Sequence, residues 1–146
     1  MTYSTATFQA VSVLLLIHFR AEGGCVEYLS TKTISEMLNI PAPTVVKVLN
    51  RLNATGLIQT KEGAKGGISL GRPISEITVL DVFNAMEYGK PLFKVHINFN
   101  IEDEFLDPIK EKAIGCLQDA ESAMRSSLEK TTLLDLLKES YCGDTE

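Results

Sequence analysis

The sequence lacks the devices that would tie it to a membrane, a disulfide framework or a nucleotide. Its richest apolar run, VSVLLLIHF at 11–19, is too short to span a bilayer and carries His18 within it. No basic stretch precedes that run and no small-residue cleavage site follows, so a signal peptide is not expected and the cytoplasm is the expected location. The three cysteines, Cys25, Cys116 and Cys142, are odd in number, far apart and without a CxxC. That spacing argues against a disulfide scaffold or a zinc site and favours reduced thiols. Internal repeats and low-complexity tracts are also missing.

What is there suits one domain, or a small domain with an appended dimerisation element: 146 residues and 45% apolar content, enough to bury a core. The net charge of −5 conceals an asymmetry. Residues 1–90 hold 8 Lys/Arg against 7 Asp/Glu, whereas 91–146 hold 6 against 12. Within 41–72, Lys47, Arg51, Lys61, Lys65 and Arg72 face a single acid, Glu62. A local positive surface matters more to a polyanion than the net charge does.

Residues 4 to about 20 read as a helix apolar nearly all round, an element that is buried or in contact with a dimer partner. EGG at 22–24 ends it, and Val26–Leu29 suits a short strand. Ser30 or Thr33 caps a second helix, Thr33 and Glu36 having the spacing of a capping box. Asn39 closes that helix. Pro43 and Thr44 then suit the first turn of a third. Val45, Val48, Leu49 and Leu52 form its buried stripe, opposite Thr44, Lys47 and Arg51, with Asn50 beside them. Two short helices, the second with a basic polar outer face, make a helix-turn-helix.

Leu57–Thr60 and Ile68–Leu70 read as strands of a hairpin around KEGAKGG. Its glycines do not have the GxxxxGK[ST] or GxGxxG spacing of nucleotide loops, and strand-like residues flank them. The hairpin is therefore an ordinary turn or a DNA wing. Its position after a helix-turn-helix favours the wing, with Lys61 and Lys65 reaching phosphates and Gly66 and Gly67 allowing close backbone approach. Thr78, with Asp81 three residues on, caps another helix. Phe93, Val95, Ile97, Phe99 and Ile101 alternate with polar residues as in a strand. Asp107-Pro108 starts a long helix to about Lys130, with Ile109, Ala113, Cys116, Ala120 and Met124 along one side, a spacing suited to a symmetry mate. Thr132 and Asp135 cap a last short helix.

STKTISEMLNIPAPTVVKVLNRLNATGLIQTKEGAKGGISLGRPISEITVLDVFNAME resembles the winged-helix core of the Rrf2 family of bacterial transcription regulators. The wing wording GAKGGISLGRP followed by ITVLDVFNAME is its most specific part. YSTATFQAVSVLLLIHF resembles the family's first helix, and the tail with TTLLDLL its dimerisation helix and final turn. The resemblance implies a mainly α fold with a small β-hairpin: a winged helix-turn-helix over 1–90, then a linker or sensor segment and dimerisation helix over 91–146. It also implies a homodimer on a pseudo-palindromic operator in double-stranded DNA. The recognition helix falls at about 42–53 and the wing at 61–67. Pro43 then sets the approach of the helix and can touch a thymine methyl. Thr44 hydrogen-bonds near the helix N-terminus, and Lys47, Asn50 and Arg51 serve base edges or phosphates, Arg51 a phosphate.

Many members of the family hold an iron–sulfur cluster on three closely spaced cysteines after the fourth helix. Here GKPLFKVHINFNIEDEFLDPIKEK has none, and Cys116 alone cannot supply three thiolates. The segment is similar to a cluster-lacking branch through Leu92, Phe93, His96 and Asn98, without that branch's Cys-Pro. No cofactor and no metal are expected, and a single His96 has no partners at metal spacing. Cys25 is the candidate redox thiol, although Glu22 and Glu27 beside it disfavour the thiolate. The inducing signal, a small molecule or an oxidant, is left open. The leading expectation is a dimeric DNA-binding repressor. A winged-helix protein-interaction module that no longer binds DNA competes with it, favoured by the acidic C-terminal half. An enzyme ranks last, since no nucleophile–base pair or cofactor loop is visible.

Overall fold

The computed structural model describes residues 5–23, 29–63, 66–95 and 104–141. Its helices are α1 (Ala6–Glu22), α2 (Thr31–Leu38), α3 (Ala42–Ala54), α4 (Val79–Glu87), α5 (Asp107–Glu129) and α6 (Leu133–Tyr141). Strands β1 (Ile58–Lys61) and β2 (Gly67–Leu70) lie between α3 and α4, followed by a 3-10 turn at Ile74–Glu76. Ile58 pairs with Leu70 and Lys61 with Gly67 in one antiparallel hairpin.

The core follows from helical spacing. Ala10, Val13, Leu14 and Ile17 of α1 are buried at i, i+3, i+4 and i+7. They meet Ile34 of α2, the four predicted residues of α3, and Val82, Ala85 and Met86 of α4. With this stripe inward, Phe8 and Phe19 fall on the outside of α1. Arg20, near the end of α1, donates to the Met37 sulfur at 3.1 Å.

The start of α2 differs from the expected capping box. Ser30 is the cap, its hydroxyl accepting from the Thr33 backbone N–H at 3.1 Å. Thr33 already lies inside the helix, and Glu36 reaches back along the surface to Lys32 at 3.9 Å. The turn into α3 depends on Asn39, which takes the left-handed conformation (φ 52°) that asparagine tolerates better than most residues. Ser35 Oγ donates to the Ile40 carbonyl at 2.6 Å and locks that turn. Pro43 sits in the first turn of α3, where no intrahelical donor is missed.

Helices α4 and α6 begin alike. In each, a threonine hydroxyl accepts from the backbone N–H three residues on and an aspartate answers: Thr78 with Asp81, and Thr132 with Asp135. The two caps lie side by side through an antiparallel bridge between Thr78 and Thr132. Leu133 N–H donates to the Ile77 carbonyl and Val79 N–H to the Thr131 carbonyl, both at 2.9 Å. This returns the end of the chain to the first core: Leu133 and Ile77 are both fully buried.

The expected strand from Phe93 does not form where the structure describes it. Leu92 and Phe93 make a bend, and Lys94 and Val95 have no strand partner. A strand needs a ladder, whereas here the backbone N–H groups of Leu92, at 3.0 Å, and of Phe93 turn to the Glu121 carboxylate of α5. His96, Asn98 and the rest of that run lie outside the described residues, as do Val26–Tyr28 of the other expected strand. Helix α5, about 35 Å long, contains no buried residue.

Candidate nucleic-acid interface

With Val45, Val48, Leu49 and Leu52 buried, the outer face of α3 is dictated by geometry. Pro43, Val46, Lys47 and Asn50 are exposed along one stripe, and Thr44 is half-buried at its edge. The sequence reading overlooked Val46, which is 43% exposed. Its place at i+3 from Pro43 was the available signal.

Arg51 departs from the expected face. It is half-buried, donates to the Met86 carbonyl, and lies over the Tyr88 ring with its guanidinium carbon 4.0 Å from the ring centre. Tyr88 can stand there because it ends α4 in the left-handed conformation (φ 54°), followed by Gly89 at φ 63°. A long basic side chain near a helix C-terminus finds a bare carbonyl and an aromatic face closer than solvent. Arg51 therefore joins α3 to α4, and a cleft lined by Lys47, Asn50, Arg51, Asn84 and Tyr88 opens beside it.

The other side of the same α4 end is held by Arg125 of α5. Its guanidinium donates to Asn84 Oδ1 at 2.7 Å, to the Lys90 carbonyl at 3.3 Å and to Glu121 Oε1 at 2.9 Å, and lies 5.5 Å from the Phe83 ring centre. The hydrogen bond from Arg125 holds the Glu121 carboxyl below its ordinary range, helped by the Leu92 N–H and opposed by burial.

In the hairpin, the glycines serve the loop itself. Gly71 packs against the carbonyl of Gly56, where an added Cβ would come within 2.1 Å of the oxygen. Gly66 is buried and donates to the Gly63 carbonyl at 2.9 Å, and a Cβ there would lie 2.2 Å from the Lys61 carbonyl. Its missing side chain therefore closes the turn, since the Cβ position points into the loop's own backbone. Gly67 pairs with Lys61 at the strand end, and Lys61 is exposed. Lys65 lies outside the described residues. Arg72 is drawn to Asp81 at 3.5 Å, so Lys47 and Lys61 are the exposed cations of the basic window among the described residues.

On α5, Ile109, Ala113, Cys116 and Ala120 are exposed and Met124 is half-buried. Leu106 and Leu117 add exposed apolar surface on the same helix or its cap. Cys25 and Cys142 lie outside the described residues. Among the described residues no group of three or more His, Cys, Asp or Glu side chains is placed to hold a metal ion, and no helix is long and apolar enough to cross a membrane.

A helix-turn-helix whose second helix leads into a two-stranded hairpin, with the core closed by α1 and α4, is a winged helix of the DNA-binding type. A family model described as "Rrf2: Iron-dependent Transcriptional regulator" matches residues 3–139, and the chain belongs to that family. The Bacillus subtilis (strain 168) protein YwgB, named as an HTH-type transcriptional regulator, is 35% identical over 79 residues. That match covers 54% of this chain and 49% of YwgB, so the chain aligns with about half the length of that relative. Among solved structures, T. potens IscR superposes with a TM-score of 0.68 at 20% identity, covering 100% of this chain and 93% of that one. CymR, described as the global cysteine regulator of B. subtilis, gives 0.64 at 20% identity over 95% and 98%. The oxidized form of Staphylococcus aureus CymR gives 0.61 at 27% identity over 93% and 95%.

Proposed function

We propose that this Rrf2-type regulator acts as a homodimeric repressor that reads a pseudo-palindromic operator with α3 and steadies itself with the hairpin. The observation that carries the reading is the outer stripe of α3, Pro43, Val46, Lys47 and Asn50, exposed beside a hairpin whose Lys61 is also exposed. Lys47 and Asn50 bear donors for base edges or phosphates, Thr44 contributes near the helix N-terminus, and Lys61 and Lys65 serve the backbone. Arg51, engaged with Met86 and Tyr88, acts as the anchor of α3 and makes no phosphate contact. Dimerisation is assigned to α5, because a helix with Ile109 and Leu117 exposed and nothing buried gains its burial from a second copy.

The donor set does not fit a family-type iron–sulfur cluster. Cys116 stands alone on α5, and the sequence between Gly89 and Lys112 has no cysteine. The regulator is therefore assigned a signal other than a cluster, an oxidant at Cys25 or a small molecule. The deciding experiment is retardation of duplexes from its own upstream region across a salt series. Salt-sensitive binding lost in Lys47→Ala supports the reading; an unshifted duplex at all salt concentrations sinks it.

A further inference from the structure

We propose, resting on the DNA-reading role of α3, that Val46 reads the 5-methyl group of a thymine, so that each half-site contains an A·T pair selected by van der Waals contact. Val46 is the fifth residue of α3 and is 43% exposed, while its neighbours Val45 and Val48 are buried to 0% and 3% exposure. Val46 is neither in the described core nor among the partly buried residues packed against it. A β-branched side chain lowers helix propensity slightly, and exposed apolar surface stabilises no fold. Single exposed apolar residues are common, and what separates Val46 from them is its surroundings. Met37, the exposed apolar residue of α2, is engaged by Arg20. Val46 instead stands between Pro43 and Asn50 at the centre of the stripe that faces DNA in the proposed mode.

The chemistry of the major groove narrows the target. Valine can neither donate nor accept a hydrogen bond, and the apolar feature a base pair displays in that groove is the thymine methyl. The N-terminal half of a recognition helix is the part that meets base edges, and Val46 lies in it. Because Arg51 is held by Met86 and Tyr88, the outer stripe retains Lys47 and Asn50 as its polar readers. Apolar contact then carries a larger share of the discrimination. Pro43, one turn earlier, is the rival for the same methyl.

The test uses the full chain and duplexes it selects from a randomised library. Each thymine of the selected half-site is replaced in turn by deoxyuridine, which removes only the methyl. At one thymine the substitution is expected to weaken wild-type binding about fourfold, the effect of one buried methyl. The same substitution should change nothing for Val46→Ala, whose thermal midpoint should be no lower than wild type because the site lies outside the core and alanine is the better helix former. Absence of any deoxyuridine penalty overturns the assignment. So does a penalty that persists in Val46→Ala, or one that disappears in Pro43→Ala instead. Failure to select any sequence removes the DNA-reading role of α3 itself, and the assignment with it.

Discussion

The guanidinium carbon of Arg51 lies 4.0 Å from the centre of the Tyr88 ring, and the same group donates to the Met86 carbonyl. An arginine on the helix proposed to read DNA is thus engaged in holding α3 to α4. Arg51→Ala should lower unfolding stability by about 1.5–3 kcal/mol, the cost of a lost charged hydrogen bond, measured by urea denaturation. Its slope of log affinity against log salt should match wild type. Lys47→Ala should do the reverse, leaving stability unchanged and reducing that slope by about one. A reduced slope in Arg51→Ala would restore it to the phosphate contacts.

Gly71 and Gly63 separate two reasons for glycine. An alanine at 71 would press its Cβ against the Gly56 carbonyl, which is backbone and cannot swing away. Gly71→Ala should cost about 1–3 kcal/mol through overpacking at the base of the hairpin. At Gly63 there is open space but φ is +109°, so Gly63→Ala carries only conformational strain, about 1 kcal/mol. Thermal midpoints of the two variants should rank in that order.

Two carboxylates link stability to acid. Glu121 is held below its ordinary 4.5, chiefly by Arg125, and Asp135 below its ordinary 3.8 by the backbone and hydroxyl of Thr132. A depressed folded value means the unfolded chain takes up the proton first. The contribution is therefore complete above the ordinary values and is lost as pH falls through the lower, folded ones. Chemical denaturation midpoints should drop on acidification through that window. The drop should be shallower in Glu121→Gln than in wild type; equal steepness would mean that Glu121 is not one of the linked groups.

Leu133, fully buried, ties α6 to the core. Leu133→Ala should destabilise by about 2–5 kcal/mol, and Thr132→Ala, which removes the cap, by about 1 kcal/mol. A Leu133→Ala protein as stable as wild type would mean that α6 is not docked there in solution.

The proposed dimer makes Ile109, 56% exposed in the single chain, a buried residue. Ile109→Glu should shift sedimentation from dimer to monomer while helical circular dichroism is retained. A variant that still sediments as a dimer would move the contact away from this face of α5.

The helices, the hairpin and the buried stripe of α3 could be read from the sequence because they are written in local spacing. So were the caps at Thr78 and Thr132, each a threonine followed three residues later by aspartate. Arg51 departs from its expected exposed face because periodicity says only which way a side chain starts. It does not say that the left-handed end of α4 brings Tyr88 and the Met86 carbonyl within reach. At Gly66 only the closed loop reveals a second reason for glycine: its Cβ position is already filled by backbone. Phe93, Lys94 and Val95, the described start of the expected strand, form none because alternation describes a strand's two faces and supplies no partner for its hydrogen bonds. Val46 was hidden by its residue type, since a valine between Val45 and Val48 reads as core until the helix is oriented.

The bridge between Thr78 and Thr132 also has a consequence for how the protein is made. The core that orients α3 is completed by Leu133, a residue synthesised after the whole of α5. A nascent chain emerging from the ribosome carries α3 and the hairpin long before it carries that closing leucine. By the time that core is sealed, the helix proposed to recruit a second copy is already outside the exit tunnel. Synthesis order thus places the leucine that completes the core after the helix to which dimerisation is assigned.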